Sequence, residues 1–360
     1  MKPTIYLNTA SAGLLDEQTL HATNTLYQQM LTQSSTAVEY LRDHGLQRIR
    51  ETVGKFIHAP AANIALVPNF SYALNAIVHA LDGNERVMLY RNDYPSVYEP
   101  FRINGFDIKW LEHGDDGFTM NIAAMKALLL ANNIDILVIS HVQWMSGYTL
   151  DLKEIGEFCA ANHIRFIVDA TQSLGAQPIY IDELKLDVLI ASNYKWMNAG
   201  FGHGIMYMSD DFLKRYTPVV CGNASYGMYA GQWKYEPSIR SYEPGHLNFH
   251  GLLIAEAAIN QKLEKGIEHI AAHNLRLTAQ LVEGVHKLKF PLLGPPTMDN
   301  RSAIVLLKAG EDLQKHLQQH NIIVIHRNGF VRISIHQHNT EADIAAILAA
   351  LATFKPQFNI

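Results

Sequence analysis

The sequence predicts an α/β fold with a mostly parallel sheet in a large domain, followed by a smaller C-terminal α/β domain. Short aliphatic runs, such as Ile134–Ser140 and Phe166–Asp169, end at polar residues, which is typical of buried parallel strands. Helical patterns alternate with these runs and indicate βαβ units. We therefore predict a large domain over residues 15–250, and a small domain formed by residues 251–360 together with residues 1–14.

The elements follow from local patterns along the chain. LQRIRETVGKFI has apolar residues at helical spacing, and Asp151 starts a helix that ends near Asn162. The stretch Tyr216–Asn248 is rich in Gly, Pro, Tyr and Ser and is predicted to be a long irregular loop. Thr340 and Asp343 form a capping box before the last helix. The other late elements predicted are helices over 251–266 and 269–288, and strands over 303–307, 322–325 and 330–335.

Composition limits the partners. Lys and Arg total 29 against 34 Asp and Glu, the net charge is −5, and no basic block occurs, so nucleic acid is not an expected partner. The opening MKPTIYLNTASAG lacks the regions of a signal peptide, and no run approaches the roughly 20 apolar residues of a membrane helix. Cys159 and Cys221 make no disulfide framework, and the histidines match no metal motif. We predict a cytoplasmic protein without a metal or membrane segment.

An anion site is predicted where a short strand turns into a helix within IALVPNFSYALNAIVHAL. A helix start offers free backbone N–H groups and a partial positive charge, worth up to ~2 kcal/mol for an anion. Asn69, Phe70 and Ser71 would supply the donors. Asn69 or Ser71 could instead only cap the helix, and the two roles are compatible.

Two buried runs end at an acid and a lysine. Asp169 follows one strand and Lys195 follows the next, at the edge where parallel sheets bind ligands. Pyridoxal phosphate (PLP) requires such a pair, because a lysine holds it as a Schiff base and an acid keeps its ring nitrogen protonated. Two plainer interpretations stay open: Asp169 caps a turn through Thr171, and Lys195 is solvated.

Three segments carry a family resemblance: VDATQSLGAQPI, DVLIASNYK and NAGFGHGIMYM. They resemble the fold-type I, class V aminotransferase superfamily, which includes cysteine desulfurases, selenocysteine lyases, isopenicillin N epimerase-like proteins and kynureninase. Further matches run from Tyr6 to Asp343. The resemblance implies the PLP-dependent transferase fold of type I and PLP as the cofactor.

The resemblance also assigns roles around the cofactor. Gln172 falls where the family has a glutamine near the phenolic oxygen of the cofactor, and Ser192 would donate to the cofactor's phosphate. Tyr194 replaces a histidine that often contacts the phosphate, and Tyr94 takes the place of the ring that stacks on the pyridine face. Without the resemblance, Tyr94 before a proline would be read as a turn residue.

Two further assignments concern the subunit partner and the substrate. His246 stands where the family has a threonine that reaches the phosphate of the neighbouring subunit, which implies a homodimer with active sites at the interface. Arg332 matches an arginine that holds the substrate's α-carboxylate through a two-pronged guanidinium contact. A surface strand arginine is the alternative for Arg332.

The chain also departs from the desulfurase pattern. Gln143 and Trp144 stand where an Asn-Asn pair is common, which indicates a different substrate pocket. A persulfide-forming desulfurase needs a mobile cysteine, expected here within Leu292–Asn300, and none is present. Cys159 lies in a predicted helix and Cys221 in a predicted loop.

The sequence therefore predicts a PLP-dependent enzyme that acts on a small amino acid and is most like an aminotransferase. Arg332 would bind the α-carboxylate, and Lys195 would remove the α-proton. The alternatives are a cysteine or selenocysteine lyase without a persulfide cysteine, or an amino-acid epimerase. A non-catalytic binding or regulatory protein with this fold is the further alternative.

Overall fold

The computed structural model of the chain describes residues 4–294 and 298–355. The strands are β1 (Ile5–Tyr6), β2 (Ile64–Val67), β3 (Arg86–Tyr90), β4 (Asp107–Leu111), β5 (Ile136–Ser140), β6 (Arg165–Asp169), β7 (Val188–Ser192), β8 (Gly204–Met208), β9 (Tyr226–Tyr229), β10 (Gln232–Tyr235), β11 (Leu292–Leu293), β12 (Ile304–Lys308), β13 (Ile322–Ile323), β14 (Ile325–Arg327) and β15 (Phe330–Ser334).

Helices alternate with these strands from β2 to β6. The helices are α1 (Glu17–His21), α2 (Asn24–Tyr40), α3 (Leu46–Ile57), α4 (Phe70–Ala80), α5 (Pro95–Ile103), α6 (Ile122–Ala131), α7 (Leu152–Ala161), α8 (Asp210–Arg215), α9 (Phe249–Lys265), α10 (Ile267–Lys287), α11 (Glu311–Gln319) and α12 (Glu341–Thr353). Every helix within the described ranges is too short or too polar to cross a bilayer.

The larger sheet has seven strands in the order β2-β8-β7-β6-β5-β3-β4. The five strands from β7 to β4 are parallel, and β8 is antiparallel to both of its neighbours. Every residue of β5 and β7 is buried, because apolar layers cover both faces of the sheet. The predicted α/β fold with a mostly parallel sheet is confirmed.

The second sheet is antiparallel, in the order β11-β12-β15-β14. One face packs on an apolar cluster with α10, α11 and α12. The N-terminal strand β1 pairs in parallel with β13, so the start of the chain packs with its last third. The division into domains at residues 15 and 251 stays a prediction.

Most predicted elements lie within a few residues of their expected bounds. The capping box is confirmed: the Thr340 side chain accepts from Asp343 N, and the Asp343 side chain accepts from Thr340 N. The irregular loop predicted over Tyr216–Asn248 is wrong in part, because β9 and β10 form an antiparallel hairpin inside it. The predicted strand over 322–325 is also wrong in detail, since it divides into β13 and β14.

Candidate active site

A cavity of about 350 Å³ lies at the carboxyl ends of β5, β6 and β7. This is the edge where open parallel sheets bind ligands. Nine residues predicted from the sequence line it together. They are Asn69, Phe70, Ser71, Tyr94, Asp169, Gln172, Ser192, Tyr194 and Lys195.

Lys195 is 7% exposed and faces this cavity. Its Nζ atom lies 5.4 Å from the centre of the Tyr94 ring and 5.5 Å from that of Tyr194. Among the described residues, its ammonium group forms no ion pair or side-chain hydrogen bond. Burial, and then the positive charge of Arg332, lower the pKa of Lys195. The amine is therefore more easily deprotonated than that of an ordinary lysine.

Tertiary contacts fix the loop that carries Lys195. Gly13 N donates to Tyr194 O at 2.8 Å, and Trp196 Nε1 donates to Gln172 Oε1 at 2.7 Å. A Cβ atom on Gly13 would lie 1.9 Å from Lys195 O, so only glycine permits this approach. The N-terminal segment and the turn after β6 thus hold the lysine in place.

Asp169 is buried in the same cavity. Its Oδ1 accepts the N–H of Thr171 at 2.8 Å, so the turn-capping role considered from the sequence is also present. Burial raises the pKa of Asp169. The hydrogen bonds from Thr171 lower this pKa, and the negative charge of Asp93 raises it further. Asp169 forms no ion pair with a described residue, and a buried carboxylate without a cation is costly.

The start of α4 forms the polar end of the cavity. Asn69 caps this helix by accepting Tyr72 N at 2.8 Å, and Phe70 N donates to Ser192 Oγ at 2.9 Å. The predicted capping role of Asn69 is confirmed. The N–H of Ser71 belongs to the first turn of α4, whose N–H groups have no acceptor within the helix.

Sequence reasoning missed several residues in and behind the cavity wall, and Asp93 is a buried residue directly behind it. Asp93 accepts bonds from Ser140 N at 2.9 Å, Ser140 Oγ at 2.5 Å and Tyr94 N at 2.7 Å. It therefore ties the Tyr94 loop to the end of β5, and burial raises its pKa. The only signal in the sequence was its position directly before Tyr94. The lining residues not assigned from the sequence are Ser96, Ser140, Thr171, Phe201 and Gly202.

Two predicted residues do not line the cavity. His246 is exposed and lies outside it, so any contact with cofactor phosphate would have to come from another subunit. Arg332 is 2% exposed, which makes the surface-arginine alternative wrong. Its Nη1 donates to Trp144 O at 2.6 Å and its Nη2 to Ser11 Oγ at 2.7 Å, while Nε has no partner within the described structure.

Arg332 also lacks a carboxylate partner among the described residues. Burial, and then the charge of Arg327, lower the pKa of Arg332 to about 10. A buried guanidinium without a counter-charge favours the binding of an anion from outside the chain.

A larger cavity of about 670 Å³ lies at the opposite edge of the sheet, around the start of β6 and β7. Its Asp187 is already paired with Arg165 at 2.7 Å, and its Asp210 accepts from Asn63 at 2.7 Å. Parallel sheets do not use this edge for catalysis. The smaller cavity at Lys195 is therefore the candidate active site.

The sequence profile of the aminotransferase class-V family matches residues 5–347. The chain belongs to this family. Class V members are PLP-dependent enzymes, so the predicted family, cofactor and enzyme class are confirmed.

Individual class V relatives carry different activities in their names. A probable cysteine desulfurase of Pyrococcus abyssi is 23% identical, and the match covers 96% of this chain and 93% of that protein. An uncharacterized aminotransferase of Bacillus subtilis, YcbU, is 22% identical, and the match covers 96% of this chain and 93% of that protein.

Solved class V structures share the fold. A cysteine desulfurase from Thermococcus onnurineus superposes with a TM-score of 0.87 at 20% identity, over 97% of this chain and 94% of that one. The cystine C-S lyase C-DES, solved with its product cysteine persulfide, gives a TM-score of 0.86 at 20% identity, over 99% of both chains.

The residues of the cavity fit the class V cofactor. PLP combines an aldehyde, a flat ring with a basic nitrogen, and a phosphate. A buried lysine amine, a buried carboxylate and a capped helix start line one cavity and complement these three features. Lys195 and Asp169 attract each other electrostatically, but neither forms an ion pair at contact distance among the described residues, which leaves both accessible to a bound group.

Proposed function

We propose that this protein is an aminotransferase-like class V enzyme that acts on an amino acid, with Lys195 as the attachment point of PLP. One observation carries the proposal: Lys195 and Asp169 are both buried in one cavity, and neither is ion-paired within the described residues. A buried ammonium and a buried carboxylate, neither in an ion pair, would destabilise the protein without its cofactor. A cofactor that contacts both of them removes that cost.

Asp169 and Gln172 would orient the cofactor ring. PLP supplies an electron sink that stabilises negative charge at the substrate's α-carbon. The Asp169 carboxylate would accept a hydrogen bond from the protonated ring nitrogen. Gln172 Oε1 is taken by Trp196 and its Nε2 donates to Ala10 O at 3.1 Å, so one amide hydrogen remains for the phenolic oxygen.

Lys195 would act as the proton carrier. Its lowered pKa keeps a larger share of the amine neutral near pH 7 than an ordinary lysine would have, and a neutral amine accepts a proton from the α-carbon. The Tyr94 and Tyr194 rings border the Nζ atom and limit the approach of water. Tyr94 would also provide the aromatic face for the cofactor ring.

Arg332 would bind the α-carboxylate of the substrate. Its guanidinium keeps an unpartnered Nε and lies close enough to lower the pKa of Lys195. The carbonyl of Trp144 and the hydroxyl of Ser11 hold its two terminal nitrogens. A carboxylate bound there would neutralise a buried positive charge.

The phosphate would bind at the start of α4. Asn69, Phe70 and Ser71 supply the N-terminal turn, and Ser192 already contacts Phe70 N. Tyr194 is stacked on Phe201 with ring centres 4.7 Å apart, and it would complete this end of the site with its hydroxyl. The helix dipole adds to the attraction for the phosphate.

We also infer that the enzyme works as a homodimer. Phe201 lines the cavity yet is 69% exposed, and Leu31 and Trp233 are 77% and 64% exposed. Aromatic side chains such as those of Phe201 and Trp233 are enriched at protein interfaces. His246 of a second subunit would then reach the phosphate, and light scattering of the purified protein tests the dimer.

A C-S lyase is the second candidate, because C-DES and the desulfurase relatives carry that chemistry in their names. Neither cysteine of this chain lines the cavity: Cys159 is buried in α7 and Cys221 lies in an exposed loop. A lyase here would release sulfide or selenide without a protein persulfide. Part of the segment 292–300, where the family cysteine was sought, lies outside the described residues.

The test combines chemical trapping with product analysis. After borohydride reduction of the protein with PLP, mass spectrometry should find the cofactor mass on Lys195. Lys262 is the matched control, since it is also buried and burial lowers its pKa to about 7, but it does not line the cavity. Cofactor on Lys262, or none on either lysine, would refute the proposal. With amino acids, a keto acid product supports transamination, sulfide supports the lyase, and a racemised product supports an epimerase.

A further inference from the structure

A second cavity, of about 550 Å³, lies beside the first at the same edge of the large sheet. Trp144 lines both cavities. Its ring stands edge-on to Tyr94 with centroids 5.5 Å apart, and its Nε1 donates to Asn92 O at 3.3 Å. Trp144 thus forms the wall between the cofactor cavity and this second cavity, which we call the side chamber.

The side chamber reaches Arg332 through the small antiparallel sheet. Leu306 of β12 lies directly opposite Arg332 of β15, and Leu306 lines the chamber. Residues paired in this way have Cβ atoms about 5 Å apart. Phe330, two residues from Arg332 on the same face of β15, lines it as well. A group bound to Arg332 therefore lies one side chain away from the chamber.

The walls of the side chamber are mainly apolar and aromatic. Tyr90, Tyr98, Trp144 and Phe330 contribute rings, and Leu306 contributes an aliphatic side chain. Pockets of this composition bind apolar groups through the hydrophobic effect.

The charged residues in these walls already have polar partners. Arg91 pairs with Glu112 at 2.6 Å and lies 4.5 Å from the Trp110 ring centre. Asp93 accepts hydrogen bonds from Ser140 and Tyr94. A charged substrate group would lose part of its hydration on entry, and both charged wall residues, Arg91 and Asp93, already have other partners. The chamber therefore favours an uncharged side chain.

The cofactor cavity has little space of its own for a substrate. Its volume of about 350 Å³ is near the lower limit of ordinary ligand pockets, and a ring with a phosphate fills much of it. The α-carbon and its substituents fit beside the cofactor, whereas a long side chain needs further space. The chamber next to Arg332 provides that space.

We propose that the side chamber binds the substrate's side chain, and that the substrate is an amino acid with a large uncharged apolar or aromatic side chain. This inference rests on the proposed function, because it takes Arg332 as the carboxylate site. It differs from the small amino acid expected from the sequence. Gln143 and Trp144, which replace the common Asn-Asn pair, both line the chamber.

The test uses carboxylates without an amine, which cannot react, and measures their binding to the PLP-loaded protein by calorimetry. The probes are propanoate, 3-phenylpropanoate and glutarate. Burying the phenyl group should make 3-phenylpropanoate bind at least about tenfold more tightly than propanoate. Equal binding of these two, or tightest binding of glutarate, would overturn the proposal.

Two variants connect the preference to the chamber. Phe330→Ala should remove most of the preference for the phenyl probe, and propanoate should bind as before. Phe290→Ala is the matched control, because Phe290 is also half-buried but packs on the apolar cluster on the other side of the sheet. Met145→Ala, at another half-buried wall residue, serves if Phe330→Ala does not fold. An unchanged preference in the chamber variants would refute the assignment.

The outcome is separable from that of the proposed function. Borohydride trapping on Lys195 is measured first, on the same preparation. Trapping with no phenyl preference rejects the side chamber alone. Absence of trapping rejects the proposed function itself.

Discussion

A buried ion pair fixes the strand β2, which leads to α4 at the cavity of Lys195. Arg50 Nη2 lies 2.5 Å from Glu243 Oε2, and both side chains are 5% exposed. Glu243 Oε1 also accepts the N–H of Leu66 at 2.7 Å. Leu66 lies in β2, just before Asn69, so the pair ties α3 to the approach of α4. We predict that Glu243→Ala strongly destabilises the fold.

The magnitude follows from what the substitution leaves behind. Arg50 would be a buried cation without its carboxylate, which costs about 3–5 kcal/mol. The N–H of Leu66 would also lose its acceptor, worth about 1–3 kcal/mol, and the two costs overlap because one side chain causes both. We expect the free energy of unfolding to fall by about 4 kcal/mol. The double variant Arg50→Met/Glu243→Leu removes both charges and should lose less than about 2 kcal/mol.

Urea unfolding at pH 7 and a fixed protein concentration measures these differences. Glu283→Ala is the control, since Glu283 pairs with Lys287 and their side chains are 67% and 72% exposed. Solvent screens that exposed pair, so its loss should change the stability little. The reasoning fails if Glu243→Ala costs no more than the control. It also fails if the double variant is as unstable as Glu243→Ala.

Two further predictions concern the cofactor site. Arg332→Leu removes a positive charge that lowers the pKa of Lys195, so that pKa should rise and PLP capture should need a higher pH. Like charges on the order of 10 Å apart at an effective dielectric constant of about 20 give about 1.7 kcal/mol, or roughly one pH unit. The visible absorbance of bound cofactor, recorded across a range of pH, measures this shift in the pKa of Lys195. A downward shift would contradict the prediction. Ser192→Ala removes the hydroxyl that would donate to the phosphate, and it should weaken PLP binding roughly tenfold. Pyridoxal without phosphate is the control, and an equal loss for both compounds would contradict a phosphate role.

The buried strands, and the positions of Asp169 and Lys195 at their ends, could be predicted from the sequence because their signals are local. A run such as Val188–Ser192 is apolar at every position, which only a strand buried on both faces requires. Asp169 and Lys195 mark the ends of such strands, and parallel strands place their ends at one edge. Asparagine is a preferred residue at helix N-caps, so Asn69 predicted the start of α4, and the structure has this cap.

Other features of the site depend on contacts between distant segments. The position of Asp93 beside the cavity could not be predicted, because it depends on hydrogen bonds to Ser140, which lies 47 positions away in the chain. The sequence could not tell a buried Arg332 from a surface arginine, since one residue in a strand carries no burial signal. The hairpin at β9 and β10 was missed because its glycine and tyrosine content is also typical of loops.

Residue type and local spacing were enough to establish the α/β class, the family and the pair Asp169 and Lys195. The folded chain was needed to show which side chains share a cavity, how burial shifts their pKa values, and that an apolar chamber lies next to Arg332. Burial and cavity shape are properties of packed surfaces, and those surfaces exist only once remote segments such as Ser11, Trp144 and β15 come together.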